Sequence, residues 1–164
     1  IRLVMIDTAP LIDKYREDTE KYPDAGMQDM NKQLAWIDSV LTAAQEDWVL
    51  VVGHHPIYAE TSKSKSERSD LQKRLDTLLR KHQNVAMYLC GHIHNFQHIR
   101  MKGSDIDYVV NSSGSLSRKV NPTEGTVFCS DQSGFSLITA DKKELNLHMF
   151  NKKGEVLHSV KKKK

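Results

Sequence analysis

With 164 residues, 38% of them hydrophobic and 27% charged, the chain is long enough for one domain around one sizeable core. No apolar run approaches the ~18–20 residues of a membrane span, which excludes a bilayer-crossing helix and implies no membrane partner. The net charge of +3 becomes −1 once the lysines at 161–164 are set aside, so that run reads as a solvated tail and no nucleic-acid partner is implied.

Ile1 to Ile6 is mostly apolar and β-branched and predicts a buried strand. Asp7 to Gly26 is polar, holds Pro10 and Pro23, and reads as a loop with room for one helical turn. Between Met27 and Gln45, residues Met30, Leu34, Ile37, Leu41 and Ala44 share one helical face. Trp48 to Val52 predicts the next buried strand. Ile57 to Glu67 is a Ser/Lys-rich loop, and Ser69 with Gln72 fits a capping box opening a helix that buries Leu71, Leu75, Leu78 and Leu79. Val85 to Cys90 predicts a third buried strand. Beyond His94 come short strand candidates at Phe96–Met101, Tyr108–Asn111, Phe135–Thr139, Leu145–Phe150 and Val156–Val160, with an irregular loop over Ser112–Gly134. The first half suggests crossover units in a mixed sheet, and the second an antiparallel meander packed on it.

Two of these strands end in Gly-His. Trp48–Val52 runs into "GHHP" at Gly53–Pro56, and Val85–Cys90 runs into "GHIHN" at Gly91–Asn95. Open α/β sheets place their sites at carboxyl ends of strands, where a rigid strand end lets the following loop aim an imidazole. His54, His92 and His94 are therefore candidate metal ligands. His82, His98, His148 and His158 have no such setting and read as structural or exposed. Cys90 reads as a small buried hydrophobe, and the two cysteines, Cys90 and Cys129, imply no disulfide framework.

"VLVVGHHPIY" followed by "YLCGHIHN" resembles the last two motifs of the calcineurin-like metallophosphoesterases, and the order of "VVGHHPIYAE", "LLRKHQNVAMYLCGHIHNFQHI" and "DYVVNSSGS" is most similar to the tartrate-resistant-like branch of the purple acid phosphatases. The resemblance implies a four-layer α/β/β/α sandwich, of which this chain looks like the C-terminal half, with 1–160 as part of one domain and 161–164 as the Lys tail. It implies a phosphomonoester hydrolase with a dinuclear centre, iron plus a divalent ion (Fe, Zn or Mn), bridged by a carboxylate and a hydroxide. His54 and His92 would hold the divalent ion and His94 the other. His55 and Lys63 are candidate substrate-binding residues, and Asn95 is expected to hold the loop after His94 behind the ligands. The family's earlier motifs, which supply two Asp, a Tyr, an Asn ligand and a substrate-binding His, are absent from the sequence. The N-terminal half of the same protein is thus an implied partner, and the chain alone is expected to be inactive.

Two other readings stay open: a catalytically silent binding module, and a hydrolase using His54, His92 and His94 on one zinc. The chain starts at Ile1 with no signal-peptide pattern, which reads as a processed or truncated product; export from the cytoplasm is what the resemblance favours.

Overall fold

Short runs of β-branched and aliphatic residues can be buried on both faces only if every backbone amide finds a neighbouring strand. The computed structural model, which describes residues 1–62, 65–111 and 113–164, satisfies this with a six-stranded mixed sheet. Its strands are β1 (Arg2–Met5), β2 (Val49–Val52), β3 (Val85–Cys90), β4 (Phe96–Arg100), β5 (Asp107–Asn111) and β6 (Thr126–Ser130), in the order β1-β2-β3-β5-β4-β6. β1, β2, β3 and β5 are parallel, and β4 runs antiparallel to both β5 and β6. A second sheet, the antiparallel meander β7 (Gly134–Ala140), β8 (Glu144–Asn151) and β9 (Val156–Lys163), packs against the first.

The helices lie on the opposite face of the large sheet. They are α1 (Asp13–Glu17), α2 (Pro23–Met27), α3 (Met30–Ala43), α4 (Lys65–Leu71) and α5 (Thr77–Leu79), the last two joined by a π-helical stretch, Gln72–Asp76. α3 begins where the Asp29 carboxylate accepts from the Lys32 amide and buries Ile37 and Leu41, as the periodicity implied. These join Leu71, Leu75 and Leu79 and the inward side chains of β1–β3 in a helix–sheet core. Leu50, Met87 and Val109 meet Leu145, Leu147, Met149 and Val160 in a second core between the sheets. The layers therefore run helix, sheet, sheet, a mixed α/β arrangement that matches the expected fold class.

Several local expectations are corrected. β1 is an edge strand buried on one side: Val4 enters the helix-side core, while Leu3 and Met5 stay 56% and 64% exposed. The 7–26 segment is mostly helical, folding as a 3₁₀ turn (Ala9–Leu11) followed by α1 and α2. α4 starts at Lys65, so Ser69 sits inside the helix instead of capping it, and Glu67 is helical and buried instead of belonging to a polar loop. β6 forms within the stretch expected to be irregular. The lysine run is not a free tail. Lys161 to Lys163 extend β9, where strand alternation turns Lys162 inward to donate to Asp107 Oδ2 at 2.8 Å and Lys161 outward to Glu144 Oε2 at 2.6 Å.

Candidate metal centre

β2 and β3 are neighbouring parallel strands, so their carboxyl ends open side by side. Their pairing continues into the two motifs through Gly53 N–H to Leu89 O and Gly91 N–H to His54 O, both 3.0 Å. Gly53 is required by close approach: a Cβ there would stand 2.6 Å from both the Thr8 methyl and the Tyr88 hydroxyl. The same tyrosine donates to the His55 carbonyl at 2.7 Å, which fixes the peptide between His55 and Pro56. After β3 the chain turns sharply. His92 and His94 both adopt left-handed backbone angles, φ 72° and 59°. Such angles are uncommon for residues with a Cβ and cluster at functional sites.

This geometry brings His54 and His92 together. His54 Nε2 and His92 Nδ1 face each other at 3.0 Å. His94 lines the same cleft of about 640 Å³, with Glu67, Arg68, Gly114 and Arg118 on the other walls. The His94 carbonyl accepts from the Arg118 amide at 2.8 Å, which ties the 118 segment to the ligand loop. Asn95 is buried, and its Oδ1 accepts from Gln97, whose side-chain amide pairs in both directions with the Glu60 backbone. His55 is also buried, but it is not on the cleft wall. Its ring packs against His54 and His92 with centroids 4.7 and 4.5 Å away, and its Nδ1 lies 2.7 Å from Thr8 Oγ1. Lys63 lies outside the described residues.

Glu67 is the main residue that sequence reasoning missed. Its carboxylate is almost fully buried. Oε1 accepts from Lys14 Nζ at 3.0 Å and Tyr15 Oη at 2.9 Å, while Oε2 lies 3.6 Å from His92 Nε2. Burial and then Glu67 push the Tyr15 phenol well above its ordinary value, so it stays a proton donor. Burial, then the His92 and His54 rings, push His55 down to about 4. Burial and His54 hold His92 below its ordinary value, against the pull of Glu67. These two rings are thus neutral near pH 7, the form that ligates metal. The donor set fits the implied ions. Imidazole nitrogens suit zinc and iron, and two nitrogens on a zinc at 2.0–2.1 Å would stand about 3.3 Å apart, close to the spacing of the His54–His92 pair.

Residues 3–96 match the calcineurin-like phosphoesterase family, and the chain belongs to that family. It is homologous to the purple and tartrate-resistant acid phosphatases. It is 34% identical over 120 residues to tartrate-resistant acid phosphatase type 5 of Mus musculus, covering 71% of this chain and 35% of that protein. It is 29% identical over 174 residues to purple acid phosphatase 3 of Arabidopsis thaliana, covering 99% of this chain and 46% of that protein. Among solved structures it is similar to GAP50, described as the anchor in the inner membrane complex of Plasmodium, with a TM-score of 0.78 at 25% identity over 98% of this chain and 48% of that one. A dimetal phosphatase from Danio rerio shares the fold, with a TM-score of 0.55 at 16% identity over 80% of this chain and 37% of that one. The chain spans less than half the length of each of these proteins.

Proposed function

We propose that this chain forms the histidine-bearing side of a dinuclear centre in a metal-dependent phosphomonoester hydrolase of the acid-phosphatase kind. The observation that carries the reading is the facing pair His54 Nε2 and His92 Nδ1, 3.0 Å apart at the ends of adjacent parallel strands. His54 and His92 would hold a divalent ion (Fe, Zn or Mn) and His94 an iron. Such a centre would supply positive charge for phosphate oxygens and an activated water for an in-line displacement. The remaining carboxylate, phenolate and amide ligands would come from the N-terminal half of the same protein, and an exported location would follow from the relationship.

The chain's own residues have separate tasks. Glu67 Oε2, 3.6 Å from His92 Nε2, would orient the His92 ring once the site closes, as carboxylates orient ligating histidines. Arg68 and Arg118, on the cleft wall, supply positive charge for a phosphate dianion, with the planar, multi-donor geometry that suits it. Asn95 and Gln97 hold the loop that presents His94.

The test is hydrolysis of a generic aryl phosphate by this chain and by the full-length protein, before and after chelation, with iron, zinc or manganese returned. The expected result is turnover by the longer protein only, lost on chelation and restored by metal. Metal-independent turnover by either would refute the reading.

A further inference from the structure

The ligand assignment above leaves His55 without a role, yet His55 belongs to the tighter cluster. One ring nitrogen from each of His54, His55 and His92 lies within 4.8 Å of the others, and His94 is not in that group. Resting on the metal-centre reading, we propose that His55 is a third imidazole ligand to the ion held by His54 and His92, so that a site for one zinc-type divalent ion lies wholly within these 164 residues.

Ligating histidines carry an outer partner for their second ring nitrogen, which fixes tautomer and orientation. One of the three rings has such a partner in place, and a second has a buried carboxylate close to that nitrogen. Thr8 Oγ1, itself held by the His55 amide at 3.2 Å, sits 2.7 Å from His55 Nδ1 and leaves Nε2 to ligate. Glu67 Oε2 approaches His92 Nε2 at 3.6 Å and leaves Nδ1 to face His54. The buried Glu67 carboxylate also offsets part of a dication's charge. Three imidazoles on one ion need nitrogens about 3.3 Å apart, and the His54–His92 edge is there within a few tenths of an ångström. The widest edge, no more than 4.8 Å, would need to shorten by roughly 1.5 Å, the scale of a side-chain movement. A histidine that merely filled space would not need two further imidazoles and an oriented hydroxyl against it.

Zinc is titrated into the chelator-treated full-length protein by calorimetry, and the visible spectrum of the cobalt(II) form is recorded. His55→Gln should weaken the ion at the His54–His92 edge by ten-fold or more and change the cobalt bands, while His94→Ala leaves that event intact. Thr8→Val should weaken it by about ten-fold and Thr8→Ser should restore it, which keeps the test valid if His55→Gln fails to fold. Unchanged affinity and spectrum in His55→Gln, or in Thr8→Val, would overturn the proposal. If His54→Ala and His92→Ala also bound zinc normally, the phosphatase reading would fall with it; if only those two lost zinc, His55 alone would be excluded as a ligand.

Discussion

Two histidines hold left-handed backbone angles at the end of β3, at a cost of about 1–2 kcal/mol each. That cost is sustained because the Gly91–His54 bond, the Arg118–His94 bond and the buried Asn95–Gln97 pair together over-determine the turn. That His54, His92 and His94 would gather at one cleft was legible from sequence, because two strand-like runs lead into Gly-His. Glu67 was not, because its meaning depends on Lys14 and Tyr15, about fifty residues earlier in a segment that reads as polar loop. Glu67→Gln should lower zinc affinity by about 10–100-fold, measured by calorimetry, while circular dichroism stays native. Arg118→Ala should raise KM for an aryl phosphate by about ten-fold, the scale of one charge-assisted contact, with less effect on kcat. An unchanged KM would remove Arg118 from the phosphate site.

At the scale of elements, the two sheets are pinned by a buried polar chain at the end opposite the metal centre. Asp107, on β5, accepts from His98 and Arg100 of β4 and Lys162 of β9. Burial would raise the Asp107 carboxyl, but these three partners outweigh it and hold it well below the usual carboxylate range. His98 Nδ1 lies 2.9 Å from Nε2 of His158 on β9, whose ring stacks on Phe128 of β6 with centroids 4.6 Å apart. Burial, then His98 and Arg100, push His158 down to about 4, against the opposite pull of Asp107. As pH falls from its ordinary 6.5 toward 4, the unfolded chain takes a proton that the folded chain refuses, so stability falls through that window. His158→Phe should keep the stack yet flatten this acid limb, measured by urea unfolding at pH 7 and pH 5; equal losses in both proteins would refute the account. The strands of this region were legible by alternation, but the register that turns Lys162 inward was not. Four consecutive lysines carry no polarity pattern, and only pairing with β8 decides which one meets Asp107.

At the scale of the whole molecule, the crossover half and the meander half were both visible in hydrophobic periodicity. The one-sidedness of β1 was not, since Ile1, Leu3 and Met5 on the exposed face are all apolar, while the face that buries Val4 carries the charged Arg2. Leu3 pairs in register with Leu50, which is buried between the sheets, so Leu3 and Met5 continue that inter-sheet face past the edge of the smaller sheet. Phe135, Leu137 and Val156 expose further apolar surface on the meander. An uncovered face of this kind promotes association. The 164-residue chain alone should self-associate at micromolar concentration in sedimentation velocity, and Leu3→Lys with Met5→Lys should return it toward monomer. A monodisperse wild-type chain would contradict this.

The most direct test of the metal-centre reading is elemental analysis of the full-length protein alongside a His54→Ala, His92→Ala double variant. The expected result is two ions per molecule in the wild type, with the divalent ion lost from the variant together with phosphatase turnover. Two ions retained in the variant, or none in the wild type, would contradict it.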